Sequence, residues 1–343
     1  MRKVRFGIVG AGGISNHFHL PELTQIAEAE VVAISDLKRE RAEKTAERFG
    51  VRHWYTDYRE MLEKEDPDAV IVATPHPTHA SIALDAIKAH KHVLIQKPMT
   101  TNAQDSQLIL EESSKNPDLK IMVLPFVYYD TPLYDYVKRA LLAGEIGRVC
   151  MADARTSHGG PEKYQTEVAQ MFDEVVDVWF FSPERAHGGV LLDLGVYSVT
   201  RLVYLLGRAK RVSAFTATLG KPIEVDDNNA VLIEMENGAL AIAESSWTQN
   251  PGQNTTSIYG DKGTIHINYL GRSLAIYREG QGWSYPDLPG EKEPQHTHRH
   301  FIHCILTNKQ PIGTPEEGHH VMQILDAAYQ SAKTGKTITI PKQ

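Results

Sequence analysis

Cysteine is nearly absent from this 343-residue chain, with only Cys150 and Cys304 present. Two isolated thiols cannot form a disulfide framework or a zinc ribbon, which points to a reducing, cytoplasmic compartment. A basic excess is missing as well. Lys and Arg number 36 against 43 Asp and Glu, a formal net charge of −7, whereas a nucleic-acid binder would carry a basic face. No apolar run approaches the ~20 residues needed to cross a bilayer. Met1-Arg2-Lys3 leads at once into Val4–Val9 and then Gly10, Gly12 and Gly13, so no signal-peptide core forms. Repeats and low-complexity segments are absent too. Neither nucleic acid nor membrane is therefore an expected partner. At roughly 150 residues per domain, the length suggests about two domains. A chain of this size buries about three quarters of its unfolded surface, so it needs no disulfide or metal to fold.

What is present alternates between two periods over the first third. Val4–Val9, Val31–Ser35, Ala69–Ala73, His92–Gln96 and Ile121–Leu124 are short β-branched runs that fit buried parallel strands. Helix-like stretches lie between them at His17–Glu28, Arg39–Phe49, Tyr58–Lys64, His79–His90 and Ala103–Ser114. Strand, helix, strand at this spacing predicts a doubly wound parallel sheet with right-handed crossovers. After about residue 125 the rhythm changes. Helices are predicted over Pro132–Ala143, Val168–Phe180 and Val190–Leu206, and a strand over Arg148–Thr156. From Arg211 to Glu279 the alternation has period two, with hairpin signals at Asn237-Gly238 and Asp261-Lys262-Gly263, as in an antiparallel sheet with one covered face. Helices return at Arg299–Thr307 and Glu316–Lys333, and the short run Thr337–Ile340 closes the chain. Gly280–Gln295, rich in Gly, Pro and charge, reads as a mobile loop. The division is 1–125, a dinucleotide-binding α/β domain, and 126–343, an α+β domain for substrate and oligomer contacts.

The first strand runs into Gly10-Ala11-Gly12-Gly13-Ile14-Ser15. Glycine permits the tight turn and lets backbone N–H groups approach a pyrophosphate at a helix N-terminus. Ser15 stands where a third small residue is wanted. Asp36 ends the second strand, about 20 residues on, where an acid meets a ribose hydroxyl. The plainer alternative is a glycine turn that merely packs helix on strand. Asp36 favours NAD, because a carboxylate accepts the 2′-OH and repels a 2′-phosphate. Lys38 and Arg39 keep NADP open, since either could reach such a phosphate.

Lys97 follows the fifth predicted strand and precedes Pro98. Ligands of open α/β sheets bind beyond the carboxyl ends of the strands, so Lys97 belongs near the nicotinamide, where desolvation and a positive ring would lower its pKa. The alternative is a solvated surface lysine. Gly188-Gly189 then opens an apolar helix carrying Asp193 and Tyr197 at i,i+4, on one face. A carboxylate in such a helix needs a partner; a buried lysine or a sugar hydroxyl would serve. Structurally, Asp193 could instead be a cap and Tyr197 a core aromatic.

These features together resemble the Gfo/Idh/MocA oxidoreductases. The match runs through Gly10-x-Gly12, Thr74-Pro75 with His79, Lys91–Pro98, Gly144-Glu145-Ile146-Gly147 and Gly188–Tyr197, and so spans both domains. The resemblance implies a Rossmann domain, a C-terminal domain with a large, mostly antiparallel open sheet, and an active site between them. It implies that Lys97, Asp193 and Tyr197 form the catalytic set, and that homodimers or homotetramers form through the sheet faces. Gly10, Ala11, Gly12, Gly13, Ile14, Asp36, Thr74, Pro75, His79, Gln96 and Lys97 become the expected NAD contacts. Lys97, Tyr129, Asp193 and Tyr197 become the expected contacts to a carbohydrate or polyol. The segment Ser157–His187, with Arg155 and Lys163, is placed at the cleft mouth.

Three residues depart from that pattern. Gln96-Lys97-Pro98 replaces the family's Glu-Lys-Pro, and loss of that carboxylate should favour a neutral amine if nothing replaces it. Tyr197 stands where many members have His, and His76 where Asn is common. Tyr129 falls where relatives often have Arg, which suits a neutral substrate. Tyr128, Tyr129, Trp179, Phe180 and Phe181 could form a stacking wall for a sugar ring or simply pack the core. His296, His298, His300, His303 and Cys304 are dense in potential metal ligands, yet no H-E-x-x-H or spaced acid accompanies them, and no metal is expected. The resemblance puts that stretch near the substrate cleft. His319-His320 reads as a solvated helix start. The expected activity is hydride transfer between a ring carbinol and NAD, with Tyr197 and Lys97 as acid/base. The alternatives are a redox-neutral NAD-dependent glycosidase or lyase, and a non-catalytic dinucleotide-binding regulator.

Overall fold

The computed structural model describes residues 2–269, 272–286, 288 and 296–341. The far part of the Gly280–Gln295 segment and the side chain of His296 lie outside the described residues. Six parallel strands make the first sheet: β1 (Val4–Val9), β2 (Ala29–Ser35), β3 (His53–Tyr55), β4 (Ala69–Val72), β5 (His92–Ile95) and β6 (Ile121–Val123). Their order is β3-β2-β1-β4-β5-β6, so the winding reverses between β1 and β4, which is where open sheets leave a crevice for ligand. All four residues of β4 are buried, as expected of a strand covered on both faces. The sequence reading missed β3, whose three residues are too short to display a run. The helices at Arg39–Phe49 and Ala103–Ser114 lie where the periodicity put them. Asn102 caps the second by accepting from the Asp105 N–H at 2.8 Å, and Gly50 ends the first with φ of 67°, the left-handed conformation that glycine adopts without penalty.

The second sheet has nine strands: β7 (Val149–Ser157), β8 (Ala209–Ala217), β9 (Asn228–Met235), β10 (Leu240–Ser246), β11 (Gln253–Gly260), β12 (Gly263–Tyr269), β13 (Arg272–Arg278), β14 (Gly282–Ser284) and β15 (Ile338–Thr339). They lie in the order β14-β13-β12-β11-β7-β10-β9-β8-β15. Every pairing is antiparallel except β7 with β10. Both hairpin signals are where turns occur, Asn237-Gly238 between β9 and β10 and Asp261-Lys262 between β11 and β12. One face is covered by the helices Val196–Leu206 and Pro315–Thr334, whose Val199, Leu202, Leu325 and Ala328 join Val212, Ile233 and Ala241 in the core. On the other face, Leu240 pairs with Met151 and Met151 with Tyr259, a row of partly exposed apolar side chains.

Four expectations need correcting. The helix predicted over His17–Glu28 is a five-residue π turn, Ser15–His19, plus one α turn, Leu20–Leu23. Leu20, Leu23 and Ile26 are buried as the periodicity required, but the Thr24 hydroxyl bonds back to the Pro21 carbonyl at 3.1 Å where the helix ends. The helix predicted over Val168–Phe180 lies at Glu162–Phe172. Asp173 ends it in a left-handed conformation, and Val175, at 89 % exposure, is not core at all. Gly280–Gln295 is not all loop: after a turn at Gly280-Gln281 it contains β14, paired to β13. Finally, Pro183–Leu206 is long and apolar enough by composition to cross a membrane, although 78 % of its apolar stretch is buried inside the protein; Asp193 and the charges near its start hid this from the sequence reading. The helix His296–Thr307 folds back onto the first sheet, with Phe301 against Phe6 at 6.4 Å between ring centres.

Candidate active site

A cavity of about 1560 Å³ runs between the two sheets, from the end of β2 past the glycine turn to Lys97, Asp193 and Tyr197. Ordinary small-molecule pockets hold about 300–1,000 Å³, so this one has room for a dinucleotide and a second molecule. At the glycine turn, Gly10 takes φ of +102°, and a Cβ there would lie 2.5 Å from the Ala73 carbonyl oxygen. Gly12 is the opposite case: a Cβ would meet nothing within 4 Å, because the residue faces the cavity. The turn's carbonyls are pinned on the other side. Ser15 Oγ donates to Gly10 O at 2.5 Å, and Asn16 Nδ2 reaches Ala11 O at 3.0 Å and Gly12 O at 3.1 Å. With carbonyls turned away and an open glycine in front, the turn fits the pyrophosphate of NAD at a helix start. Asp36 stands beside it, Oδ2 accepting the Ala11 N–H at 2.8 Å and Oδ1 the Lys38 N–H at 2.9 Å. Ala11 is itself fully buried and faces the core.

The other end is built from β5 and the helix of the second domain. Leu191–Gly195 forms a π turn before the α-helix Val196–Leu206; such wide turns recur at functional sites. It directs Asp193 toward Lys97, whose Nζ lies 2.5 Å from Asp193 Oδ1 and 2.9 Å from the Asp193 carbonyl. Trp247 Nε1 donates to Asp193 Oδ2 at 3.2 Å. The Asp193 carboxylate thus has the partner its apolar helix demanded, and Lys97 has the carboxylate that Gln96 does not supply. Lys97 Nζ also sits 5.1 Å from the centre of the Tyr197 ring, close enough for a cation–π attraction. Burial, reinforced by the nearby Asp193 charge, pushes the Tyr197 phenol well above its ordinary range. Tyr128 stacks on Tyr197 with ring centres 6.4 Å apart. The cavity here is completed by His158, Tyr164, Gln165, Trp179, Phe180 and Asn250, and burial lowers the pKa of His158.

Gln96 ends a buried chain that the sequence reading did not foresee. Its Oε1 accepts the Lys97 N–H at 3.1 Å, and its Nε2 donates to His19 Nε2 at 2.9 Å. His19 Nδ1 meets His298 Nε2 at 2.8 Å, and His298 Nδ1 meets a Glu22 carboxylate oxygen. One assignment of ring protons satisfies every link: both imidazoles neutral, each donating from Nδ1, with a Glu22 carboxyl oxygen accepting. Burial pushes His298 down to about 3 and lowers His19 well below its usual value, in keeping with neutral rings. The amide of Gln96 is thereby held in one orientation beneath Lys97.

Several expected site residues are elsewhere. His79 does not line the cavity; its Nδ1 and Nε2 each lie 2.8 Å from a carbonyl, of Pro98 and Thr74, so it joins the β4 and β5 loops rather than touching a ligand. Tyr129 is buried against Tyr134 and Tyr204, and its hydroxyl donates to the Tyr197 carbonyl at 3.1 Å. Its neighbour Tyr128 takes the place facing the cavity, because the turn Phe126–Tyr129 points successive side chains apart. Phe181 packs on Trp247 instead of lining the cleft. Arg155 is bound to Glu244. His298 and His300 are hydrogen-bonded inside the protein, away from the cleft, and among the described residues no three His, Cys, Asp or Glu side chains converge as metal ligands. His319 and His320 are buried, receiving or facing Ser106 Oγ and the Ala209 N–H, not solvated. Gly10, Gly12, Gly13, Ile14, Asp36, Thr74, Pro75, Gln96, Lys97, Asp193 and Tyr197 do line one cavity. Arg41, which lines the cavity near Asp36, is bound to Glu174; neither was singled out from the sequence, because a residue pair 133 positions apart leaves no local signal.

Residues 4–123 match the family described as an oxidoreductase family with an NAD-binding Rossmann fold, and residues 134–266 match the GFO/IDH/MocA C-terminal domain. The chain is 25 % identical over 350 residues to a scyllo-inositol 2-dehydrogenase (NAD(+)) of Bacillus subtilis (strain 168), covering 98 % of this chain and 96 % of that one. It is 26 % identical over 343 residues to a D-xylose 1-dehydrogenase (NADP(+)) of Haloferax volcanii, with 98 % and 99 % covered. The fold matches that of a levoglucosan dehydrogenase in complex with NADH and L-sorbose, with a TM-score of 0.86 at 22 % identity over the full length of both chains. With both domain types matched in order along one polypeptide, the chain belongs to the GFO/IDH/MocA oxidoreductases, an NAD-binding family.

Proposed function

We propose that the chain oxidises a ring hydroxyl of an uncharged sugar or cyclic polyol with NAD, and that Lys97, Asp193 and Tyr197 carry the chemistry. The observation behind this reading is their convergence at the inner end of a cavity whose outer end is the glycine turn and Asp36. NAD supplies the hydride acceptor when bound. In the direction of oxidation the phenolate form of Tyr197 takes the substrate's hydroxyl proton and becomes the phenol, while the Lys97 ammonium stabilises the developing alkoxide. Asp193 holds Lys97 in place through two contacts. The raised phenol pKa keeps Tyr197 protonated at neutral pH, which suits it to donate in the direction of reduction; oxidation then speeds up as pH rises. The neutral substrate follows from charge. At the inner end Lys97 is already matched by Asp193, 2.5 Å away, so this cation is not left over for a sugar carboxylate. Aromatic faces at Tyr128, Trp179 and Phe180 suit a C–H face of a ring.

The open row Met151, Leu240 and Tyr259, flanked by Tyr277 and Trp283, supports assembly of a homodimer or homotetramer through the sheet. Free thiols at Cys150 and Cys304 fit a cytoplasmic setting. The test of the activity is a panel of neutral polyols, sugars and sugar acids with NAD, read by formation of reduced nicotinamide. Turnover on a neutral compound supports the reading; preference for an acidic sugar overturns the charge argument. Consumption of a glycoside without reduced nicotinamide would replace oxidation by redox-neutral cleavage.

A further inference from the structure

The cations beside Asp36 are already engaged. Lys38 and Arg41 both line the adenosine end of the cavity, where a 2′-phosphate of NADP would sit next to the ribose. Glu174 reaches them from the second domain, in the turn after the helix Glu162–Phe172. One carboxylate oxygen lies 2.6 Å from Lys38 Nζ and 2.6 Å from Arg41 Nη2, and the other lies 2.7 Å from Arg41 Nε. This is a two-point guanidinium–carboxylate contact with a lysine added. It holds the Glu174 carboxyl down at about 2, and its side chain is only 15 % exposed. Asp36 stands on the near side. Asp177, further along the same segment, also faces Arg41 and is itself bound to Arg185 at 2.7 Å through both oxygens. Arg39, the first residue of the helix that also carries Arg41, stacks 5.0 Å over the Trp54 ring and points to Glu43. A phosphate monoester carries about −1.5 to −2 charges. To reach Lys38 and Arg41 it must displace a carboxylate bound in good geometry, within a group of three acids.

We propose that Glu174 sets this chain's choice of NAD over NADP, by occupying the two cations that would otherwise receive a 2′-phosphate. Glu174 is a positioning residue: it does not line the cavity but decides where Lys38 and Arg41 point and what charge they have left. A second tether joins the same segment to the first domain, Lys44 Nζ donating to the Phe172 carbonyl at 3.1 Å. It allows loosening of the segment to be told apart from release of the cations. The inference rests on the NAD site alone and holds whichever compound is oxidised.

The experiment is titration of NAD+ and NADP+ into the full-length protein without substrate, followed by calorimetry. Glu174→Gln removes the charge and keeps the shape. NADP+ affinity is expected to rise about tenfold relative to NAD+, equivalent to about 1.4 kcal/mol. Adding Lys38→Ala and Arg41→Ala to that variant should return the ratio to the parent value. Lys44→Ala should loosen the segment and leave the ratio unchanged. An unchanged ratio in Glu174→Gln overturns the proposal. So does a gain in NADP+ affinity that survives loss of both cations, or one that Lys44→Ala reproduces.

Discussion

Removing one partner of the Lys97–Asp193 pair tests the site and the fold at once. Lys97 and Asp193 side chains are 15 % and 8 % exposed and lie 2.5 Å apart. Breaking a buried pair by deleting one charge costs about 3–5 kcal/mol, because the remaining ion is left uncompensated. In Asp193→Asn the Lys97 ammonium keeps its 2.9 Å bond to the residue 193 carbonyl, which places the cost near the lower end, at about 3 kcal/mol. Unfolding entropy is about 2.1 cal/mol/K per residue, so for this chain about 3 kcal/mol lowers Tm by about 4 °C. Adding Lys97→Met removes the stranded charge and should recover at least about half of that loss, a coupling well above the ~0.5 kcal/mol scatter of independent sites. Turnover should be lost in both single variants and in the double. Calorimetry on the four proteins, with steady-state rates, measures this. Strictly additive losses in Tm would refute the argument, as would a double variant that regains activity.

Other outcomes follow from the same geometry. For oxidation, kcat should rise into the alkaline range because burial holds the Tyr197 phenol above its usual value; Tyr197→Phe should remove that rise and lower kcat by about 10²–10⁴, read from pH–rate profiles. Gly12→Ala should leave Tm unchanged, since nothing lies within 4 Å of the new Cβ, yet weaken NAD binding in a titration. Gly10→Ala should destabilise the fold, because its Cβ meets the Ala73 carbonyl at 2.5 Å; equal effects on Tm would contradict the cradle. His19 and His298 are buried neutral with lowered pKa values. The unfolded chain therefore binds more protons below pH ~6.5, and stability falls as pH drops from there toward 3. His298→Gln should flatten that slope in Tm measured against pH.

The strands of the first sheet were legible because burial on both faces leaves continuous β-branched runs, and the glycine turn because φ of +102° at Gly10 permits little else. Lys97 and Asp193 stood out in the sequence as a lysine at a strand end and a carboxylate in an apolar helix, and Tyr197 only through its i,i+4 spacing from Asp193; the three line one cavity. The rest depends on contacts distant in sequence. Nothing near Gln96 announces His19, His298 and Glu22, and nothing near Lys38 announces Glu174. His79 and Tyr129 mislead for a related reason. Both sit beside the cavity in sequence, but the local turn aims their side chains inward, at the Pro98 and Tyr197 carbonyls. The predicted helix over Val168–Phe180 failed because Val175–Phe181 looks like core but belongs to the segment that crosses the cofactor cleft.

The central claim is that a carbinol hydrogen leaves the substrate as hydride and stays on the nicotinamide. It is tested most directly by supplying a neutral polyol deuterated at the carbinol carbon and weighing the reduced nicotinamide formed. The expected result is one deuterium per reduced nicotinamide, with turnover slowed by the label and abolished in Lys97→Met while NAD still binds. Unlabelled reduced nicotinamide, or product that retains the deuterium with no net reduction, would contradict it.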